Sequence, residues 1–497
     1  MRRGIAYALV AVLSLALVGG VLASGVALTG VGARATALGG AYRGLATDWS
    51  AMYWNPAGLV QLSGFQVGGS FEFIHPVAKF KAAPWVTPLG DTTRFSAFRD
   101  GEVENKPRTF FVPAGGFVYS NEKFAFGLAV FAPFGLGATW DLMDTQSFNP
   151  AYPEYEYDDD LQMIDVHPTV AVALNDWLSV GAGLSIMFNK IMIRKPAFIP
   201  NPYYSDELSL IVKLTHMRDK GLLNAPYTHL LVDTKLEGDG VGLGGNFGVM
   251  LKPTENLSIG FSARFYQDAT IKGHVNGTAY FPSDSSTNKA IQLFVKPQLD
   301  DKLAKGEITE SEYFAVLNAY SGQTAVVYDN VGATATMPLP SNIGFGIAYT
   351  GIPNTVLTFD VDWTKWSAWN VIDISLDNGD KSALKEMWRD CMRVGGGIEH
   401  NFGSFVLRGS YYTEPEAPPA TTLTPTIPDI SRRQVFNVGV GIPLGNVVLH
   451  ASFEKMFIGD REVKQWIPDE SGTDYLNVAG HYKMSDTNAM FGIEYNF

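Results

Sequence analysis

The sequence predicts an all-β fold, a fourteen-stranded antiparallel barrel that spans a membrane. Three observations predict it: many segments alternate apolar and polar side chains, short and long connections alternate between these segments, and a secretory leader opens the chain. Alternating segments of about ten residues are typical of transmembrane barrels. Closure pairs every backbone group of the sheet, as the lipid environment requires.

The leader comprises residues 1–23. Arg2 and Arg3 form a positive n-region, residues 5–18 are an apolar h-region, and residues 21–23 match a small-residue cleavage site. This order is typical of a secretory signal peptide. A membrane anchor is the alternative, but the apolar run is shorter than the ~20 residues that a helical span needs. We therefore expect cleavage and export, and with the barrel this predicts the outer membrane of a diderm bacterium.

Composition excludes two classes of protein. Aromatic residues make up 12% of the 497 residues, so the chain has enough apolar surface to bury and is not intrinsically disordered. The net charge is −13, which argues against a nucleic-acid partner, because such a partner requires a clustered basic face. Cys391 is the single cysteine, so neither an intramolecular disulfide nor a thiolate cluster for a metal is possible.

The final segment shows the alternation most clearly. Phe491, Ile493, Tyr495 and Phe497 alternate with small or polar residues. Successive side chains of a strand point to opposite faces, so these four share one apolar face. The same pattern recurs at 241–250, 257–266, 357–364 and 447–454.

Fourteen strands are expected within a barrel that comprises residues 65–497. They lie at 65–74, 109–119, 123–132, 165–174, 178–190, 239–252, 257–281, 331–350, 356–376, 389–400, 405–412, 433–442, 447–458 and 486–497. Short connections, such as 175–177 and 253–256, alternate with long ones, such as 191–238. Short periplasmic turns and long outer loops are typical of outer-membrane barrels, whose strand number is even. A soluble sandwich has no reason to sort its loops in this way.

Two long loops carry helical patterns, at 205–224 and 309–321. The second begins with the capping-box pattern Thr-Glu-Ser-Glu. The apolar residues of the two patterns are Leu208, Ile211, Val212, Phe314 and Leu317. They form either ordinary loop structure packed on the barrel or a hydrophobic docking site above it, and periodicity alone leaves both open.

Residues 24–64 do not alternate. They are rich in glycine and alanine and end in the run Asn55-Pro56-Ala57-Gly58-Leu59. Small residues, apolar residues and a turn-forming Asn-Pro favour a compact segment over a disordered tail.

This segment resembles the N-terminal hatch of the FadL/TodX (OMPP1) family of outer-membrane transporters. The likeness is carried by Gly-Gly-Ala at 39–41 and by Asn-Pro-Ala-Gly-Leu at 55–59, and it continues in order along nearly the whole mature chain. The further matching stretches are Ala132-Pro133-Phe134-Gly135-Leu136, Leu339-Pro340, Asp362-Trp363-Thr364-Lys365-Trp366-Ser367 and Ile427-Pro428-Asp429.

The resemblance implies a monomeric barrel whose lumen is plugged by the hatch, with Asn55, Pro56 and Ala57 as the hatch motif. It implies passive uptake of a hydrophobic compound, a long-chain fatty acid or an aromatic or alkane hydrocarbon, without ATP or a cofactor. The ligand would first meet a groove formed by the outer loops. The resemblance therefore favours the five apolar loop residues as candidate ligand contacts. It would then enter a deeper pocket and leave sideways into outer-membrane lipid.

The third strand contains a candidate for that lateral opening. Phe131, Pro133, Phe134 and Gly135 follow each other at its end. Proline lacks the N–H that a ladder needs, and glycine permits backbone bends. Either the strand is kinked here and leaves a gap in the wall, or Pro133 merely ends it at the outer rim.

Several positions that the alternation turns inward are ionisable. They are Glu72, His167, Arg264, Asp360, Asp362, Arg393, Glu399, Arg408, His450, Glu454 and Glu494. One interpretation is a network of paired charges that holds the hatch. The other is that an arginine binds a ligand carboxylate, a role suited to its bidentate guanidinium. Arg264, Arg393 and Arg408 are the candidates, and the sequence does not choose among them.

The sequence disfavours two other classes of function. A Ser/His hydrolase in the barrel wall is not expected, because the chain has no Gly-x-Ser-x-Gly element, and no metal-ligand spacing is present either. A general porin for polar solutes would have no need of a plug of forty residues or of apolar loop helices.

Overall fold

The structure is a computed structural model. It describes residues 27–28, 30–84, 98–200, 229–281, 283, 293, 296–310, 313–314, 324–470 and 475–497. Twenty strands form one antiparallel sheet: β1 (Ser63–Ala82), β2 (Val103–Glu104), β3 (Phe110–Asn121), β4 (Phe124–Trp140), β5 (Tyr157–Asn175), β6 (Leu178–Pro200), β7 (His229–Thr254), β8 (Leu257–Tyr266), β9 (Ala269–Tyr280), β10 (Thr324–Met337), β11 (Asn342–Ile352), β12 (Thr355–Thr364), β13 (Val371–Leu376), β14 (Lys381–Lys385), β15 (Cys391–Asn401), β16 (Val406–Glu414), β17 (Arg433–Leu444), β18 (Val447–Ile458), β19 (Arg461–Val463) and β20 (Gly480–Asn496).

The sheet closes into a barrel of fourteen strands, as predicted. The ring runs β1, β3, β4, β5, β6, β7, β8, β11, β12, β15, β16, β17, β18 and β20. It closes where β20 pairs with β1 along its whole length, from Gln66 opposite Asn496 to Ala82 opposite Gly480. No strand of the ring is left with an unpaired edge along its full length, which is what a lipid-embedded sheet requires.

The two faces of the barrel follow the predicted alternation. Apolar side chains such as Phe126, Val241 and Phe436 point outward and are about half exposed. All eleven ionisable residues predicted to face inward are buried. The described residues include no helix long and apolar enough to cross a membrane.

The short connections lie at 122–123, 176–177, 255–256, 353–354, 402–405 and 445–446. They all join ends of the same rim, as predicted. Gly445 has φ +64° and Asn354 has φ +57°, the left-handed conformation that two-residue hairpins require.

Several strands are longer than predicted. β1 runs to Ala82 rather than residue 74, and β6 runs to Pro200 rather than residue 190. The prediction that the third strand ends at residue 132 is also wrong, because β4 continues to Trp140. These extensions carry charged side chains such as Arg194, which pairs with Asp233 on β7, so the apolar-polar pattern that locates a strand in lipid is absent from them.

Four neighbouring strands of the barrel are interrupted at a similar level. The interruptions fall at 267–268 between β8 and β9, at 338–341 between β10 and β11, at 365–370 between β12 and β13, and at 386–390 between β14 and β15. The predicted continuous strands 257–281, 331–350 and 356–376 are therefore each broken in two. Pro338 and Pro340 explain one break, since neither has an N–H for the ladder.

The helices are short. Ala33–Ala37, Ala51–Trp54 and the 3₁₀ helix Pro56–Gln61 belong to the N-terminal segment; Thr145–Phe148, Lys296–Ala304 and the 3₁₀ turn Trp366–Ala368 lie in connections.

Of the predicted loop helices, 205–224 lies outside the described residues, as do Leu208, Ile211, Val212 and Leu317. In the second loop, the described residues Tyr313 and Phe314 are helical, and Phe314 is 55% exposed.

Candidate ligand path through the barrel

The Asn-Pro-Ala element fastens the N-terminal segment, residues 27–62, to the inner wall. Asn55 Oδ1 accepts the amide of Ala57 at 3.2 Å, and Asn55 Nδ2 donates to the carbonyl of Val249 on β7 at 3.1 Å. On β6, Ser179 Oγ donates to the carbonyl of Ala57 at 2.9 Å. A glycine of the wall allows this close approach, because a Cβ on Gly248 would lie 2.1 Å from Asn55 Oδ1. The motif thus caps its own 3₁₀ helix and binds two strands.

Two arginines of the same segment pair with inward carboxylates. Arg43 Nη1 lies 2.6 Å from Asp360 Oδ1, and Arg43 Nη2 lies 2.8 Å from Asp362 Oδ1. Arg34 binds Glu399 through two nitrogens, at 2.8 and 2.9 Å. These contacts support the interpretation of the inward charges as a network that holds the N-terminal segment. Sequence reasoning missed Arg34 and Arg43, because their segment has no periodicity that assigns a direction to their side chains.

The three candidate arginines have different surroundings. Arg408 Nε lies 2.6 Å from Glu399, and Arg393 Nη2 lies 3.2 Å from Asp362, so both already have carboxylate partners. Arg264 donates to the carbonyl of Tyr53 and stacks on its ring, but its Nε is buried without a partner.

The wall is incompletely paired beside the third strand of the barrel. The β3–β4 ladder ends at Gly115 opposite Val130, although β3 continues its pairing with β1 down to Phe110 and β4 continues with β5 to Trp140. The register of β4 against β5 shifts between Phe131 and Phe134. The predicted irregularity therefore lies inside β4 as a bulge, and Pro133 does not end the strand.

The N-terminal segment covers the inner side of this bulge. Ala27 forms a bridge with Phe134, and the amide of Leu28 donates to the carbonyl of Pro133 at 2.9 Å. The Phe131 ring meets Tyr53 of the segment edge-on, with 5.1 Å between the ring centroids. The segment and the unpaired part of the wall are thus in direct contact.

An apolar cavity of about 150 Å³ lies above the segment. Its walls come from the outer halves of the strands and from the strand interruptions. Apolar side chains dominate the lining, which includes Leu161, Ile191, Ile193, Leu236, Ile271, Met337, Trp369, Ile372, Ile374, Trp388 and Ile427.

The polar residues of the cavity include one cation, Lys195. Among the described residues it has no ion-pair partner within 4.0 Å. Glu386 also lines the cavity and accepts a hydrogen bond from Trp388 Nε1 at 2.9 Å. Three further carboxylates also line the cavity, those of Asp159, Asp160 and Glu237. Sequence reasoning missed Lys195, since the outer part of β6 was assigned to a loop.

None of the three predicted arginines lines this cavity. Arg264 and Arg393 instead border a second, smaller cavity of about 40 Å³, together with Leu28 and Phe134. This smaller space lies against the inner side of the β4 bulge.

The architecture is that of an outer-membrane transport barrel, and comparison with known proteins gives the family. The sequence model of the family described as outer membrane protein transport protein (OMPP1/FadL/TodX) matches residues 10–497. The chain belongs to this family, as the resemblance predicted. It is therefore an outer-membrane transporter of hydrophobic compounds and not an enzyme.

Individual relatives are distant. A long-chain fatty acid transport protein of Escherichia coli O6:H1 is 22% identical over 443 residues, which is 85% of this chain and 86% of the relative. The crystal structure of a Pseudomonas aeruginosa FadL homologue has a TM-score of 0.70 at 16% identity, covering 95% of this chain and all of that one. The P. putida toluene transporter TodX has a TM-score of 0.65 at 15% identity, covering 95% and 99%. At these identities the two structures support the fold alone.

Proposed function

We propose that this protein takes up long-chain fatty acids by passive diffusion. After removal of the signal peptide 1–23, the hatch 24–64 closes the lumen of a monomeric barrel. The ligand meets the outer-loop groove, enters the apolar cavity, and leaves between β3 and β4 into outer-membrane lipid. Each CH₂ that stays out of water along this route is worth about 0.8 kcal/mol, so a lateral exit is favoured over release into the periplasm.

The presence of Lys195 in the lining of the apolar cavity supports a fatty acid as the ligand. Its ammonium is exposed at the wall of an apolar cavity and has no ion-pair partner within 4.0 Å among the described residues. A ligand carboxylate can form a charge-assisted hydrogen bond with this ammonium, whereas a hydrocarbon cannot. The alternative, an aromatic or alkane hydrocarbon, is favoured by the rings of Trp369 and Trp388 in the same lining.

A second carboxylate contact lies further along the route. Arg264 has a free Nε beside the smaller cavity, so it receives the head of a ligand that has left Lys195. Arg393 and Arg408, the other two candidates from the sequence, serve the charge network that holds the hatch.

Lys195→Met is expected to weaken the binding of a sixteen-carbon fatty acid to the purified protein about tenfold or more, because a hydrogen bond between charged groups contributes about 1.5–3 kcal/mol. Binding of the sixteen-carbon alkane stays unchanged. Lys190→Met is the matched control, because Lys190 lies on the same strand, is exposed, and does not line the cavity. Equal affinity of the Lys195 variant and the wild type for the acid contradicts the assignment.

The groove is tested separately. Replacing Phe314 and Leu317 by Asp is expected to reduce uptake about tenfold at low ligand concentration, since each buried apolar side chain contributes roughly 1.5–3 kcal/mol. Uptake of a radiolabelled fatty acid by whole cells is the measurement. If the loops only capture the ligand, a saturating ligand concentration restores the uptake rate of the variant to that of the wild type. If the variant takes up ligand at the wild-type rate at every concentration, the two residues do not bind ligand and the groove is contradicted.

A further inference from the structure

Three tryptophan rings form one cluster between the apolar cavity and the bulge of β4. The ring centroids of Trp369 and Trp388 are 4.7 Å apart, and Trp366 lies 5.8 Å from the first and 5.2 Å from the second. Trp369 and Trp388 line the cavity, but Trp366 does not. Trp366 instead contacts Phe134 in the bulge, with 6.2 Å between ring centroids.

The cluster blocks the inner route to the wall gap. Trp366 is 1% exposed and Phe134 is 5% exposed. The line of ring contacts from the cavity to the gap runs through Trp388, Trp366 and Phe134. A ligand that follows this line has to displace the ring of Trp366.

Trp366 is the ring of the three that no hydrogen bond holds among the described residues. The indole Nε1 of Trp369 donates to the carbonyl of Pro338 at 2.7 Å, and that of Trp388 donates to Glu386 at 2.9 Å. Within the described part of the chain, the Trp366 indole makes no hydrogen bond. Two rings are therefore held in place by polar contacts, and the third is held by packing alone.

The backbone also permits the movement. Trp366 begins a 3₁₀ turn in the interruption between β12 and β13, outside the strand ladder. Two backbone amides hold the turn: that of Lys365 donates to the carbonyl of Ser341 at 2.8 Å, and that of Ser367 donates to Asp390 Oδ1 at 2.9 Å. A change of the Trp366 rotamer breaks none of these bonds.

We propose that Trp366 is the inner gate of the lateral route. Its ring swings aside when a ligand moves from the cavity toward Phe134, and the width of the opening sets which ligands pass. A single unbranched acyl chain passes, whereas a fused-ring group is retained in the cavity. This inference rests on the proposed function, because it needs a ligand in the cavity.

The test compares Trp366→Ala with the wild type in cells whose other hydrophobic channels are deleted. Two ligands are used, palmitate and a fatty acid of similar length that ends in a pyrene group. We expect the uptake ratio of palmitate to the pyrenyl acid to fall about tenfold in the variant, because removal of the ring widens the passage. Affinity of the purified protein for palmitate stays within about twofold of the wild type.

Trp140→Ala is the matched control. It removes the same ring from the same apolar core, but Trp140 does not line the cavity. Among the described residues, the ring pairs of Phe134 are with Tyr266 and Trp366, and Trp140 forms none with either Phe134 or Trp366. Trp366→Phe is a second variant that keeps a ring, and we expect an intermediate uptake ratio from it.

An unchanged uptake ratio in both Trp366 variants overturns the gate, as does an equal change in Trp140→Ala. Failure of the proposed function has a different signature, because the wild-type protein then does not bind palmitate at all. Heat-dependent mobility of the barrel on gels verifies that each variant is folded before uptake is measured.

Discussion

Deletion of residues 24–61 is expected to turn the closed barrel into an open pore whose conductance is about tenfold or more above that of the wild type. The deletion leaves β1 intact, since this strand begins at Ser63. It removes Arg34 and Arg43, which pair with Glu399, Asp360 and Asp362 on the inner wall. Single-channel recording in planar bilayers is the measurement.

Single substitutions in the hatch test which contacts hold it in the lumen. Arg43→Ala leaves Asp360 and Asp362 with one less cation, so we expect brief openings above the wild-type conductance. Arg99→Ala is the control, because it breaks an ion pair with Asp141 at the surface of an outer connection, and it should leave conductance unchanged. A folded deletion variant with wild-type conductance would show that these residues do not occlude the lumen.

Closing the wall beside the third strand is expected to reduce uptake strongly while surface capture persists. In Pro133→Thr with Gly135→Val, position 133 regains an N–H and both positions favour extended backbone. The β3–β4 ladder, which now ends at Val130, can then continue outward. We expect uptake of palmitate by whole cells to fall at least about tenfold, because the lateral exit is the step that delivers ligand to lipid.

Pro168→Thr is the matched control for this variant. Pro168 lies on β5 opposite Leu128, where the wall is fully paired on both sides of β4, so removing this proline should not change uptake. Normal uptake by the double variant, with pairing of β3 and β4 demonstrated by its structure, rules out the lateral route.

The part of the fold inside the membrane follows from the sequence because lipid imposes a period of two. Alternation alone predicts that Glu72, Asp360 and Glu494 face the lumen, and all three are buried. Above the lipid this constraint ends. The outer half of β6 therefore has no alternation to reveal it, and Lys195 falls within a predicted loop.

The candidate site was less predictable, because it depends on contacts between distant parts of the chain. Arg43 meets Asp360 across more than three hundred residues, and no local pattern indicates that pairing. The Asp-Trp-Thr-Lys-Trp-Ser stretch is one of the motifs that carry the family resemblance, yet the direction of Trp366 depends on a break in the ladder at 365–370. Pro133 does predict a feature of the site from the sequence. Because proline has no N–H, it disturbs the hydrogen-bond ladder wherever its strand lies in the barrel.

A crystal structure with an ω-brominated sixteen-carbon fatty acid tests the central claim most directly, because anomalous scattering locates the end of the acyl chain. We expect the carboxylate within hydrogen-bonding distance of Lys195 Nζ, at about 2.7–2.9 Å, and the bromine within the apolar cavity or beside Trp366. Bromine found outside the barrel wall alone, or a carboxylate bound away from Lys195 with the chain in the cavity, would contradict the account.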